Sequence, residues 1–480
     1  MVTKFSYYQY LAQFHHGRTK SSIDSNGDDN EVTSRQRGDG GVINVTENKD
    51  GWIPLHHAAF NGQHDCLRTL LKGIIPHLLC SADKRTLQEQ TGLLLAVSSE
   101  HLSCVKCLLE SGADPDISSK NKATPLYTGR VVPLFVKQFY HNRSSAACRL
   151  DNMDMVSLIL SFGASVNQRC AQGWTALHEA VVFFSFGSLG ADVNMQTCDG
   201  VTALHEASKN GHKEIVAVLL SKNADANKMA TSGLLPLHVA AQHGHQEVVS
   251  LLVPVTSRTR LRHSAISPLH LAAEHDRPQV AAALLKAGVD VNATLAPARS
   301  ARYADRRATA LCFAVANGCA ETAKVLLNAG ANTGLDPVSP LLLAVQRGST
   351  DIVSLLLQSG ADVNAKIPSW ATTFPAVVTL CVDNLPLLKC LLDNGCDALS
   401  CFSCPYGRGS HPEQSHMRNI GTFCQWISTP PVSQWAGPIV DLLLEHVAHV
   451  QLCGKLTQLL ESRCEWAAVK RKSCKTHTRT

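Results

Sequence analysis

The sequence predicts an all-α solenoid, in which helix-turn-helix units stack in a row, joined by hairpin loops and followed by a short helical extension. Three observations carry that reading. Between Asp199 and Asn292 the chain repeats itself: Thr202-Ala203-Leu204-His205, Leu235-Pro236-Leu237-His238 and Ser267-Pro268-Leu269-His270 begin 33 and 32 positions apart. Behind each opening comes a second aliphatic segment, ending Leu219-Leu220, Leu252-Val253 and Leu284-Leu285. Aromatic residues are only 5% and charged residues 17% of the chain, as suits thin aliphatic stripes buried between neighbouring helices.

One unit explains the pattern. Thr202 suits an N-cap, where its hydroxyl meets the free amides of the first turn. Pro236 and Pro268 sit just inside a helix start, where a missing N–H costs nothing. Asn210-Gly211 and His243-Gly244 supply turns that need a positive φ. Ile215, Val216, Leu219 and Leu220 then share one stripe of a second helix, and Gly288-Val289-Asp290-Val291-Asn292 has turn chemistry. A single unit cannot bury its stripe, so units must stack. A period near 33 with this opening resembles the ankyrin repeat.

Taken in order, residues 1–50 are expected to be mostly disordered: an aromatic start, Phe5-Ser6-Tyr7-Tyr8-Gln9-Tyr10, leads into a stretch rich in Ser, Asp, Asn and Gly. An array of about ten repeats is expected over 51–397. Its anchors fall at Ile53, Thr91, Thr124, Thr175, Thr202, Leu235, Ser267, Thr309, Ser339 and, degraded, at Phe374. The region 128–190 breaks the grammar. Thr124 to Thr175 is 51 residues, Thr175 to Thr202 only 27, and Val181 to Leu189 leaves almost no second helix. Either the array opens there or a mis-joined transcript supplies the segment; the local inconsistency favours the latter. Residues 398–480 read as a loop and a helical extension, with Ile439, Val440, Leu443 and Leu444 on a stripe and a basic end.

Composition limits the function. The formal net charge of +5 is small for 480 residues and does not suggest nucleic acid. No run of eighteen apolar residues suggests a membrane span, and Lys4, His15, His16, Arg18 and Lys20 argue against a secretory leader. Eighteen cysteines, several inside repeat helices, read as reduced thiols in a cytoplasmic protein.

Chemistry is sparse. His56, His178, His205, His238 and His270 all hold the fourth place of the opening, so they are expected to hydrogen-bond between adjacent turns. Cys401 and Cys404 with His411 and His416 invite a zinc reading, but six intervening residues before His411 are fewer than a finger's usual spacing of about twelve. No metal, cofactor or catalytic residue is expected: nucleotide, protease and kinase motifs are missing, and the chain reads as non-catalytic. Two insertions offer a target-binding surface. Arg258, Arg260 and Arg262 alternate in a segment that replaces a hairpin, where an extended backbone would present them on one side. Arg299, Arg302, Arg306 and Arg307 lie in the stretch Ala296–Arg307, which lengthens its interval to 42. Insertions in repeat arrays fall on one face, often the binding face.

Several idiosyncratic segments resemble the ankyrin repeat and SOCS box family across nearly the whole chain. They are Phe5-Ser6-Tyr7-Tyr8, Arg85-Thr86-Leu87-Gln88-Glu89, Pro115-Asp116-Ile117-Ser118, Pro254-Val255-Thr256-Ser257-Arg258, Cys401-Phe402-Ser403-Cys404-Pro405-Tyr406-Gly407 and Trp435-Ala436-Gly437-Pro438-Ile439. The resemblance implies an adaptor whose array holds a target while a SOCS box recruits elongin B/C and a cullin–RING scaffold for ubiquitin transfer. It also implies cytoskeletal targets such as filamin-type actin cross-linkers. The box itself is expected to be missing or truncated: Leu460, Cys464 and Ala468 have its spacing but fall ahead of it, and no Leu-Pro-x-Pro follows Trp466. No elongin-binding residue is therefore identified, and a plain ankyrin scaffold or ligase-uncoupled target binder stands as the alternative.

Overall fold

The computed structural model describes residues 50–72, 81–128, 153–179, 190–264, 266–367, 372–409, 411, 421–466 and 468–469. The aromatic start, the stretch expected to be disordered, most of the irregular region 128–190, His416 and the basic end lie outside the described residues.

Each of the ten anchors begins a helix. In chain order the helices are α1 Pro54–Phe60, α2 His64–Leu71, α3 Gly92–Ser98, α4 Leu102–Glu110, α5 Met153–Ser161, α6 Ala176–Glu179, α7 Ala203–Asn210 and α8 Lys213–Ser221. They continue with α9 Pro236–His243, α10 Gln246–Leu252, α11 Arg258–His263, α12 Pro268–Glu274, α13 Pro278–Lys286, α14 Pro297–Ser300, α15 Ala310–Asn317 and α16 Ala320–Asn328. The last are α17 Pro340–Gln346, α18 Thr350–Gln358, α19 Ala376–Leu380, α20 Leu385–Asp393, α21 Phe423–Ile427, α22 Pro430–Ser433, α23 Ala436–Glu445 and α24 Gly454–Glu461. At Thr124 a single helical turn, 125–128, follows the anchor. Among the described residues there is no strand, only isolated bridges between Arg85 and Thr91 and between Thr294 and Thr309.

The chain divides into two compact units, residues 1–206 with 218–224, and residues 207–217 with 225–480. In the first, α1 stacks on α3 and α2 on α4, and α4 then meets α5. In the second, α9, α12, α15, α17 and α19 form one row, while α10, α13, α16 and α18 form the other. In the first row the small residues Ala240, Ala272, Ala314 and Ala344 are fully buried. In the second row the leucines Leu252, Leu284, Leu326 and Leu356 are fully buried as well. Each is worth roughly 1.5–3 kcal/mol of burial.

The repeated histidine joins neighbouring units. Nδ1 accepts the backbone N–H three residues earlier, from Ile53 to His56 (3.1 Å), Thr175 to His178 (3.2 Å) and Leu235 to His238 (3.2 Å). An amide can only donate, so Nδ1 carries no proton and Nε2 does. Nε2 donates to a carbonyl ahead in the chain: Lys84 from His56 (2.8 Å), Val201 from His178 (3.1 Å), Ile266 from His238 (2.8 Å) and Ala308 from His270 (2.9 Å). In the last three the acceptor immediately precedes the next anchor. The expected role as a hydrogen bond between turns is what these four rings perform.

Where the fourth place is not histidine, the anchor threonine caps the helix directly, as Thr91 does for Leu94 and Thr309 for Cys312, both at 3.2 Å. At Thr175 and Thr202 the hydroxyl instead lies 2.9 Å from Nδ1 of its own repeat's histidine. In the Thr309 unit a carboxylate replaces the ring. Asp336, from the following loop, accepts from the amides of Ala308 (2.6 Å) and Thr309 (3.0 Å) and from the Thr309 hydroxyl (2.5 Å).

A second join uses glycine. Gly211 has φ of +75°, and a Cβ there would fall 2.4 Å from the His245 ring. That ring donates from Nε2 to the carbonyl of Lys209 at 2.8 Å. Asparagines of the closing loops make a third. Asn227 accepts from Ser257 N–H (2.6 Å), Asn292 from Asn332 (2.8 Å) and Asn364 from Asp397 (2.8 Å).

Candidate partner-binding groove

The segment carrying Arg258, Arg260 and Arg262 is helical, which corrects the extended reading. Ser257 caps α11, its hydroxyl accepting from Arg260 N–H at 3.5 Å. Asn227 holds the entry through Ser257 N–H and the Val255 carbonyl (3.4 Å). With a cap and no Gly or Pro inside, the run adopts a helix, and alternation no longer puts the three arginines on one side. Arg262 follows Arg258 by about one turn along the backbone, whereas Arg260 is rotated roughly 200° from it. Arg258 and Arg260 are exposed.

The second insertion is an ordered knob. The Ser300 hydroxyl donates to the Arg306 carbonyl (2.5 Å), and Leu295 N–H donates to Ala308 (2.8 Å). Arg307 holds this knob together. Its guanidinium pairs with Asp305 at 2.8 Å and lies 5.1 Å from the Tyr303 ring centre and 5.3 Å from that of Phe313. Arg302 and Arg306 are exposed, and Arg299 is half-buried.

The two insertions meet across one groove of about 920 Å³. Its walls include Val253, Pro254, Leu261, Ile266, Leu295 and Pro297, with Arg258 and Asp290 also lining it. Position in sequence foretold the two insertions but not that they line a common groove, because that depends on α11 folding back beside the loop Ala287–Asp290. The groove can take an apolar segment of another chain and pair one acidic group with Arg258. His270, also on its wall, is committed to Ala308, and burial holds its imidazole below the ordinary histidine range.

Buried thiols in the array behave as small apolar side chains. Burial pushes Cys104 up to about 11 and Cys381 and Cys396 up to about 12. Of the residues considered for zinc, Cys404 and His411 do come together, with Cys424 and Cys453 and without Cys401. No helix among the described residues is long and apolar enough to cross a membrane.

Comparison with known proteins agrees with the repeat period. The family model described as "Ankyrin repeats (3 copies)" matches residues 182–262, 231–295 and 269–367, and "Ankyrin repeats (many copies)" matches 29–71 and 145–189. Ankyrin repeat and SOCS box protein 2 of Mus musculus is 43% identical over 459 residues, covering 89% of this chain and 72% of that protein. The Homo sapiens protein of the same name is 42% identical over 460 residues, with the same two shares, 89% and 72%. Ankyrin repeat and SOCS box protein 14 of Mus musculus is 33% identical over 224 residues, 45% of this chain and 38% of that one. Among solved structures, the ankyrin repeat domain of Bcl-3 aligns with a TM-score of 0.40 at 25% identity, over 49% of this chain and 100% of that one.

Proposed function

The chain belongs to the ankyrin repeat and SOCS box family, and from that membership we propose that it is a substrate-recognition adaptor of an elongin B/C cullin–RING ubiquitin ligase. The array binds the target and performs no reaction itself. The observation that carries the reading is the groove between α11 and the knob at 293–307, an apolar trough edged by Arg258 and with Arg302 and Arg306 exposed nearby in sequence. Filamin-type cytoskeletal proteins are the proposed targets, which would place the protein in the cytoplasm on the cytoskeleton.

The test measures capture of purified filamin-type immunoglobulin-like domains by the chain and by a variant with Arg258, Arg260 and Arg302 changed to Glu. Loss of several close charge contacts should weaken binding by roughly tenfold or more, while the thermal transition stays in place. Unchanged affinity would remove the arginines from the contact. A second reading is a scaffold that holds its target without the ligase. Co-purification with elongin B/C favours the adaptor; target capture without it favours the scaffold.

A further inference from the structure

Past the last repeat, three separate pieces of chain aim cysteine and histidine side chains at one point. Cys404 stands in the turn after the 3-10 segment Leu399–Phe402, Cys424 in the first turn of α21, and Cys453 at the N-cap of α24. His411 arrives from the loop beyond Cys404. The four donor atoms all lie within 4.8 Å of one another. Cys404 Sγ is 3.1 Å from His411 Nε2 and 3.6 Å from Cys424 Sγ. We propose that Cys404, His411, Cys424 and Cys453 form a structural zinc site, with three thiolates and one imidazole binding a single Zn²⁺.

The distances fit that ion. Tetrahedral zinc with Zn–S of about 2.3 Å and Zn–N of about 2.0–2.1 Å holds its sulfurs roughly 3.8 Å apart and its sulfur and nitrogen roughly 3.5 Å apart. The Cys404–His411 and Cys404–Cys424 separations reach those values with shifts of a few tenths of an ångström, and the remaining pairs, all within 4.8 Å, close by at most about 1 Å. The histidine is set for the task by its other nitrogen. His411 Nδ1 faces the Gly409 carbonyl at 3.2 Å. A carbonyl only accepts, so Nδ1 carries the proton and Nε2 turns a bare lone pair towards the sulfurs, the tautomer a metal ligand needs. The Thr422 hydroxyl lies 3.4 Å from Cys424 Sγ and donates its proton to Gln425 Oε1 at 3.0 Å. Backbone approach around the cluster is close too. Gly454 N–H donates to the Gly407 carbonyl at 2.9 Å, and a Cβ at Gly454 would come within 3.0 Å of the Arg408 carbonyl oxygen.

A disulfide accounts for less. Bonded sulfurs stand about 2.05 Å apart, and a Cys404–Cys424 bridge would leave both Cys453 and His411 without a role. Four protein ligands close the coordination sphere, so the site is structural and not catalytic. Binding releases the thiol protons to solvent and ties Cys404, His411 and the start of α24 to α21, which fixes the extension beyond the last repeat.

Zinc is measured by elemental mass spectrometry on the full chain, expressed with zinc and purified under reductant without chelator. We expect about one zinc per chain, falling to less than roughly a tenth in Cys424→Ser and Cys453→Ser and unchanged in Cys401→Ser. Because a serine variant could fail to fold, two further measurements use folded protein. Cobalt exchanged into the unaltered chain should give the thiolate charge-transfer absorption and the strong visible bands of a tetrahedral site. His411→Cys should keep its metal with a shifted cobalt spectrum. A folded unaltered chain without zinc, a cobalt spectrum lacking thiolate bands, or a Cys404–Cys424 disulfide found by peptide mass spectrometry would overturn the proposal.

Discussion

Replacing Asp336 by alanine removes the join between the Thr309 unit and the loop that follows it, where no histidine is present to substitute. The carboxylate is 8% exposed and accepts two backbone amides and one hydroxyl. Alanine leaves three donors buried without an acceptor, each costing roughly 1–3 kcal/mol. Water can reach part of the vacated space, so we expect a total of about 3–5 kcal/mol. Asp336→Asn keeps one acceptor oxygen and loses the charge, for about 1–2 kcal/mol. Asp351→Ala, in the exposed first turn of α18, is the control and should stay near its reference within about 0.5 kcal/mol. Urea unfolding followed by circular dichroism gives the total. Because repeat arrays can open locally, hydrogen exchange at residues 308–317 reports the site itself. A shift below about 1 kcal/mol with unchanged exchange at α15 would refute this reasoning, since three buried donors cannot go unmet at so small a cost.

Acidification should loosen the array. Burial holds His178 and His270 below the ordinary value of 6.5. The unfolded chain therefore takes up protons first, and the stability these rings contribute is whole above about pH 6.5 and drains as pH falls below it, by at most about 1.4 kcal/mol per ring per pH unit. His446, raised by Asp393 at 3.0 Å, acts in the opposite sense: its contribution is whole below 6.5 and is lost as pH rises through its raised value. Thermal midpoints from about pH 8 to 5.5 should fall, less so in His270→Gln; a flat profile contradicts the neutral-ring reading. Gly437→Ala places a Cβ 2.2 Å from Trp466 Nε1, so the indole must leave its buried seat. A cost of about 1–3 kcal/mol and red-shifted tryptophan emission are expected, against no spectral change if the contact is absent. Asn227→Ala frees Ser257 N–H and the Val255 carbonyl from their clamp and should cost about 1 kcal/mol. Faster exchange across 255–261 together with weaker target capture is expected; intact capture would detach α11 from binding.

Much of the fold was legible because the information is local and recurs. A Pro, Leu, His and Ala at fixed offsets mark a helix start, and repetition turned a weak signal into a firm one, as it did for the role of His56, His178, His238 and His270. The departures come from residues whose partners are distant. Alternating arginines suggested a strand-like segment because the Ser257 cap and the Asn227 clamp, 30 residues upstream, were not visible in the run itself. Asp336 gave no hint of replacing a histidine, since Cys312 alone marked the vacancy. The cysteine cluster was read along the sequence from Cys401 to His416, whereas two of its members, Cys424 and Cys453, lie 20 and 49 positions beyond Cys404. The density of cysteine after the last repeat was the available signal.

Hydrogen exchange on the chain alone and bound to a filamin-type immunoglobulin-like domain tests most directly whether this array is a target-holding surface. Protection should concentrate at 253–264 and 287–297, the two walls of the groove. Protection confined to other parts of the array, or no complex at all, would contradict a function built on that groove.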